Sequence, residues 1–470
     1  MKKIASFSPR TSNQIRSSKI GVGFECIERK MWDDTPELYR FAGETGVKHA
    51  RVLTGWFRTE TEKGKYDFSW LDRIVDNLLE QGIRPWFCLS YGNRLYCDSP
   101  SDDSAGYPPL FTPEARMAWQ NYVAAVVSRY RGKVLFYEIW NEPNATGFWS
   151  HGPNMEEYFD LVQLTSPVIR ANDPDAEVIG GANGHSIATM MSFYALYQLL
   201  ELGICKYIDI YTFHRYHILP ELAAPEDYRM LRNAFDTHGG AHVKLWQGES
   251  GCPSVASETE ALSGTPVNEE IQAKVLSRSL LNDLMNGLDY TSYFTLSDFK
   301  YYYRNGLIPK PNYFGLLTFD APPRRKPAYY AFQTLCNLFD DDTVLSDEYK
   351  VELNPFPYLE SERFSFQEMR IHLKQAKFMR REYPLYVFWM PSNLFSPDSG
   401  EKEIMIRLWV PKGNKQLKKP VLIDPVTQEI FEPEIYDDPF FKKFPAARTM
   451  DLIHVPVRDY PLIVTDLSVC

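Results

Sequence analysis

"VLFYEIWNEPN" occupies residues 134–144. Phe136, Tyr137, Ile139 and Trp140 read as a buried strand, yet Glu138, Asn141, Glu142 and Asn144 set carboxylates and amides along it. A strand packed on both faces has no cheap place for a charge. The stretch makes sense if the strand leaves a core and enters an opening, with Pro143 ending the ladder and Glu142 facing a cavity. Parallel barrels build such openings, because all their strand ends meet around one mouth.

Seven further apolar runs lie on either side of this one. They are "KIGVGFEC" (19–26), "KHARVLTGW" (48–56), "RPWFCLSYGN" (84–93), "AEVIGGANGH" (176–185), "YIDIYTFHRYH" (207–217), "VKLWQGESG" (243–251) and "LDYTSYFTLSD" (288–298). Helical patterns alternate with them. In "SWLDRIVDNLLEQG" (69–82), Leu71, Ile74, Val75, Leu78 and Leu79 recur at helical spacing and Gly82 marks the stop. "TPEARMAWQNYVAAVVSRYRG" (112–132) opens on a Thr cap with Pro at the first helical position and closes on Gly. "NEEIQAKVLSRSLLNDLMNG" (268–287) repeats the pattern, and "PAYYAFQTLCNLFD" (327–340) reads as the last helix. Eight strand–helix units predict an α/β fold, a (β/α)₈ TIM barrel over residues 19–342. The alternative is an open doubly wound sheet, whose first turn often carries G-x-G-x-x-G; "GVGFEC" does not continue that way.

A chain of 470 residues is too long for one ordinary core. Beyond residue 343 the helical period disappears. "YPLYVFWMP" (383–391), "EIMIRLWVP" (403–411), "KPVLIDP" (419–425), "DLIHVPV" (451–457) and "YPLIVTD" (460–466) are short β runs separated by Pro, Asp, Gly and Asn. Residues 343–470 therefore read as a C-terminal β-sandwich, to which "KKIASFS" in the segment 1–18 can add a strand.

The net charge of −10 argues against nucleic acid as a partner, since phosphate binding needs a basic surface. No apolar run is long enough for a membrane span, and the basic N-terminus has none of signal-peptide length. The seven scattered cysteines include no C-x-x-C pair, which fits a reducing compartment, and a cytoplasmic location is expected. Oligomeric state is not legible.

Barrel enzymes carry their chemistry at the C-terminal strand ends. Those ends offer Arg51 on strand two, Tyr91 and Asn93 on three, Asn141 and Glu142 on four, and Asn183 and His185 on five. Strand six offers His214 and Tyr216, strand seven Glu249, and strand eight Tyr293, Phe294 and Asp298. Glu142 and Glu249 stand out because each follows an apolar, aromatic run. On strands four and seven of a closed barrel they can face each other across the mouth. Opposed carboxylates are what glycosidic cleavage needs: one protonates the leaving oxygen, and the other attacks the anomeric carbon or activates water. A separation of about 5–5.5 Å gives retention through a covalent intermediate, and about 6.5–9.5 Å gives inversion.

"WNEPN" (140–144), followed about a hundred residues later by a strand ending in Glu249, resembles clan A of the glycoside hydrolases. The segments 64–91 and 170–181 are similar to the same clan, as is "HRYH" (214–217). The C-terminal stretch 421–466 resembles the sandwich of family 39 β-xylosidases. The resemblance implies Glu142 as general acid/base and Glu249 as nucleophile. It implies that Asn141 holds the sugar 2-hydroxyl, that Tyr216 donates to Glu249, and that Arg51 adds positive charge beside it. His214 would hydrogen-bond within the site. Trp140, Trp149 and Trp246 are candidate stacking platforms or barrel packing.

Glu138 shares the parity of Glu142 but lies inside the strand, so a buried carboxylate paired with Arg51 or a lysine is expected. His214 and His217 lack the further ligands a zinc site needs, and no metal or cofactor is expected. Cys252 reads as a small buried hydrophobe. The function expected is a retaining β-glycosidase, exo-acting on oligosaccharides, with β-xyloside the first choice of substrate. An endo-acting glycanase resembling family 5 and an inactive sugar-binding barrel are the alternatives.

Overall fold

A computed structural model of the chain describes residues 1–101, 104–184, 190–256, 261–302, 310–346, 351–355, 373–391, 402–409, 417–436 and 449–470. After an N-terminal strand, β1 (Lys2–Ser6), eight parallel strands close into a barrel. They are β2 (Ile20–Gly23), β3 (His49–Leu53), β4 (Arg84–Leu89), β5 (Phe136–Ile139), β6 (Glu177–Asn183), β7 (Ile210–Arg215), β8 (Lys244–Ser250) and β9 (Tyr290–Tyr293). The barrel closes where Ile20, Gly21 and Val22 pair with Thr291, Ser292 and Tyr293.

The helices form where the caps and apolar spacing predict. The Thr112 side chain accepts from the Ala115 amide at 3.0 Å and opens the helix Pro113–Tyr130. Asn268 does the same for Glu269–Met285, accepting from the Ile271 amide at 2.8 Å. The helix Ser69–Glu80 buries Leu71, Ile74, Val75 and Leu78 against the barrel. No described helix is long and apolar enough to cross a membrane.

The barrel lumen is filled in layers, and its lower layer is apolar. Trp86, Phe136, Ile179, Ile210, Trp246 and Tyr290 pack together there, with Trp246 4.5 Å from Tyr290 and 5.0 Å from Phe136 between ring centroids. This corrects the reading of Trp246 as a stacking platform, since its ring is part of the barrel floor. Trp140 is corrected as well. It has no exposed surface, its ring packs on Trp119 and Trp149, and its Nε1 donates to the Phe148 carbonyl at 2.9 Å. Trp149 is equally buried, with Nε1 on Glu157 at 2.8 Å. None of the three presents a ring face to a ligand.

β10 (Phe299–Tyr302) pairs antiparallel with β11 (Lys310–Asn312) after the last barrel strand, and two antiparallel sheets follow the barrel. One has the order β1-β18-β17-β21-β15-β14-β12, with β12 Thr343–Leu345, β14 Lys374–Arg380, β15 Tyr383–Trp389, β17 Pro420–Asp424, β18 Glu429–Glu432 and β21 Leu462–Asp466. The other has the order β13-β16-β20-β19, with β13 Val351–Pro355, β16 Lys402–Trp409, β19 Glu434–Tyr436 and β20 Thr449–Val457. β1 joins the first sheet by pairing with β18, Lys2 opposite Glu432. Buried polar contacts join this sheet to the barrel side. Arg380 binds both carboxylate oxygens of Asp340, which also accepts from Arg10 at 2.8 Å. Trp389 donates to Glu221 at 2.7 Å.

Candidate active site

The strand that decides the fold ends sooner than its sequence suggests. β5 stops at Ile139, because Trp140 adopts φ +70° and Glu142 φ +47°. Both values lie in the left-handed region, which costs a non-glycine residue about 1–3 kcal/mol. The first turn swings the Trp140 ring out among the helices. The second holds Glu142 at the mouth, where its amide donates to the Ala182 carbonyl at 3.0 Å. Its carboxyl lies against the backbone of Gly184, where an added Cβ would come within 2.9 Å of it. A side chain there would push the carboxyl aside.

Strand β8 reaches the same mouth by a different device. Thr212 pairs with Trp246 and Phe213 with Gln247, but His214 pairs with Glu249, so Gly248 is an extra residue. The bulge resets the pleat. Trp246 and Glu249 are three residues apart, yet both point into the lumen, one in the floor and one at the opening.

Arg51 ties these parts together. It is fully buried on β3, with its guanidinium over the ring of Trp86. Its Nε donates to Glu138 Oε2 at 2.6 Å and its Nη2 to Asn141 Oδ1 at 2.8 Å. Its Nη1 binds Glu249 Oε1 and lies 3.0 Å from Glu25 Oε2. Glu138 also accepts from Thr212 Oγ1 at 2.6 Å, so it pairs with arginine inside the barrel and stays out of the pocket. The Asn141 amide is oriented from both ends, because its Nδ2 donates to the Tyr91 hydroxyl at 3.1 Å.

The two outstanding glutamates come together. Tyr216 donates to Glu249 Oε2 at 2.7 Å. His214 Nδ1 lies 2.9 Å from Glu142 Oε1 and 3.5 Å from Glu249 Oε2. One carboxylate oxygen from each glutamate and a His214 ring nitrogen lie within 4.8 Å of one another. Burial pushes the Glu249 carboxyl up, but His214, Arg51 and Tyr216 outweigh it and hold the group below its ordinary range. Burial also works against protonation of His214, yet the two glutamates leave its affinity for a proton raised.

The pocket above these groups encloses about 530 Å³, its open mouth included. Phe148, Tyr91, Phe294 and Phe314 supply aromatic wall, and Tyr91 stacks on Phe148 at 5.7 Å. Other strand-end residues turn elsewhere. Asn93 caps the Glu60 carbonyl at 2.8 Å, Asn183 donates to Tyr211 at 2.8 Å, and Asp298 is buried against Lys326 at 2.7 Å. Arg215 pairs with Asp283 behind the barrel wall, so the "HRYH" side chains do not converge. Cys252 is fully buried behind Glu249, and burial pushes its thiol up. His185 lies outside the described residues. The residue that sequence reasoning missed is Glu25. It follows the apolar run of β2, as Glu249 follows that of β8, and the same strand-end rule would have found it.

A closed (β/α)₈ barrel with two facing carboxylates at its C-terminal mouth defines a glycoside-hydrolase architecture. Residues 18–356 match the model of glycosyl hydrolases family 39. The chain belongs to that family. It is 26% identical over 308 residues to a β-xylosidase of Geobacillus stearothermophilus, a match covering 60% of this chain and 58% of that relative. A family 39 glycoside hydrolase from Bacteroides cellulosilyticus WH2 superposes with a TM-score of 0.66 at 18% identity, covering 95% of this chain and 80% of the other. A monomeric β-xylosidase from Caulobacter crescentus CB15 superposes with a TM-score of 0.59 at 17% identity, covering 98% and 97%. At these identities the two structures bear on the fold alone.

Proposed function

We propose that the chain is a retaining β-glycosidase that removes a terminal β-linked sugar by double displacement, with a β-xyloside the first substrate to test. The observation that carries the reading is the spacing of Glu142 and Glu249, with one oxygen of each within 4.8 Å. That fits the short separation of retaining enzymes better than the longer one of inverting enzymes.

The roles follow from the surroundings. Glu249 receives hydrogen bonds from Arg51 and Tyr216 on its two oxygens, which favours the anion that must attack the anomeric carbon. Glu142 is more open to the pocket, and no arginine among the described residues pairs with it. It gives its proton to the glycosidic oxygen as the bond to the aglycone breaks. It then takes a proton from the water that displaces Glu249 from the glycosyl ester. His214 orients the Glu142 carboxyl from below. Asn141, held by Arg51 and Tyr91, would meet the sugar 2-hydroxyl, a contact that strengthens in the transition state.

A pocket of this size with aromatic walls suits one terminal sugar and supports exo action. The relative from Geobacillus stearothermophilus, named a β-xylosidase, supports xylose as that sugar. Residues 19–342 would carry the chemistry and 343–470 would pack against them. All seven cysteines are free thiols, which fits a cytoplasmic location. The test is a panel of chromogenic aryl β-glycosides with wild type and Glu249→Gln. The expected result is β-xyloside turnover by the wild type and a loss of about 10⁴-fold or more in the variant. A Glu249→Gln variant with near-normal turnover would refute the assignment.

A further inference from the structure

We propose that Glu25 is a positioning residue of this site: a carboxyl that keeps its proton at neutral pH and donates its hydrogen bond to Glu249, so that the nucleophile alone carries the charge. The inference rests on the proposed role of Glu249.

Glu25 follows β2 and is 3% exposed. Three buried carboxyl groups, those of Glu25, Glu138 and Glu249, crowd one guanidinium, that of Arg51. If all three ionised, Arg51 and a protonated His214, 3.5 Å from Glu249, would still leave one buried negative charge uncompensated, a costly arrangement. One of them must hold a proton, and the donor pattern says which. Glu138 receives Arg51 and Thr212 on its two oxygens. Glu249 receives Arg51 and Tyr216. Glu25 receives Arg51 on Oε2, and no donor among the described residues reaches Oε1. Hydrogen bonds to the charged form stabilise that form, so the carboxyl with the fewest donors keeps the proton.

The other groups facing Glu25 agree. They are Cys88, Glu138, Tyr216 and Glu249 across the lumen and Cys26 beside it, while the cation Arg29, which lines the same pocket, is paired with Glu28 at 3.0 Å. Burial pushes Glu25 well above the ordinary carboxyl range. Arg51 pulls it back only in part, and the charge on Glu249 pushes it up again. Glu25 Oε2 and Glu249 Oε1 sit on the same Arg51 nitrogen, Nη1, so the two carboxyl groups lie side by side and a proton on Glu25 would favour the anion of Glu249. Gly23 leaves room for the carboxyl, since a Cβ there would stand 3.1 Å from Glu25 Oε1.

The test uses the full chain as wild type, Glu25→Gln and Glu25→Ala, with two readouts. The first is the melting temperature between pH 4 and 8. A carboxyl whose folded pKa is raised makes the wild type lose stability as pH climbs above about 4.3. Glutamine cannot ionise, so the advantage of Glu25→Gln over wild type is expected to grow with pH. An advantage that shrinks or stays constant overturns the proposal. The second is the pH profile of kcat/KM on an aryl β-xyloside. Loss of the donor in Glu25→Ala is expected to move the acid limb up by about one pH unit, while Glu25→Gln, which keeps a donor, leaves it in place. A role in folding alone would lower the amplitude of both profiles without moving either limb, and that result also overturns the proposal. If the wild type cleaves no glycoside, the glycosidase reading fails, and the melting series still decides the protonation of Glu25.

Discussion

Replacing Tyr216 by phenylalanine removes one hydrogen bond and little else. The ring, packed 5.7 Å from Phe314, stays in place, while the 2.7 Å donor to Glu249 Oε2 is lost. A hydrogen bond to an ionised carboxylate contributes about 1.5–3 kcal/mol. At about 1.4 kcal/mol per pH unit, its loss raises the Glu249 pKa by about one to two units. His214 and Arg51 still hold the anion, so the group remains a carboxylate at neutral pH. The consequence falls on the acid side. Because the folded pKa of Glu249 is depressed, the stability it contributes is present above the unfolded value near 4.3 and is lost as pH falls through the folded value. Tyr216→Phe should therefore melt below wild type at pH 7, and the two curves should converge toward pH 3. The acid limb of kcat/KM, measured from pH 3 to 8 on an aryl β-xyloside, should move up by the same one to two units. A limb that stays with the wild type would refute the assignment of Tyr216 as the donor that keeps Glu249 ionised.

Glu142→Ala should cut turnover of aryl glycosides with poor leaving groups by about 10²–10⁴-fold, the usual contribution of a general acid. It should spare the first step for good leaving groups such as dinitrophenol, and equal losses across the series would count against the role. Trp246→Leu should cost about 2–4 kcal/mol in chemical denaturation by opening a cavity in the barrel floor, with KM unchanged. A large rise in KM would return Trp246 to the pocket. Asp340→Asn should lower the melting temperature at pH 7, since burial raises that carboxyl but Arg380 and Arg10 outweigh it and hold it low. The deficit should fade as the pH falls below the ordinary carboxylate range, and a deficit independent of pH would contradict the ion-pair account.

The barrel was legible because most strands are apolar runs that lead into polar residues, and helices such as Pro113–Tyr130 and Glu269–Met285 open on a capping side chain and give way to glycine. Glu142 and Glu249 were legible because aromatic runs make a terminal carboxylate conspicuous. Tryptophan placement was not, because side-chain parity depends on backbone that the sequence does not print. The left-handed turn at Trp140 sends its ring outward. The bulge at Gly248 puts Trp246 and Glu249 on one face despite their odd spacing. Glu25 was missed for a third reason. The strand-end rule picks out its position, but its role depends on three carboxyl groups meeting at one arginine, and no local pattern encodes that meeting.

The central claim is that Glu249 attacks the sugar directly, and the configuration of the first product tests it most directly. Proton NMR of the anomeric signal during the first minutes of aryl β-xyloside hydrolysis should show the β-anomer of the released sugar appearing first, with the α-anomer growing in only by mutarotation. Initial release of the α-anomer would mean inversion, and the double-displacement account of Glu142 and Glu249 would be wrong.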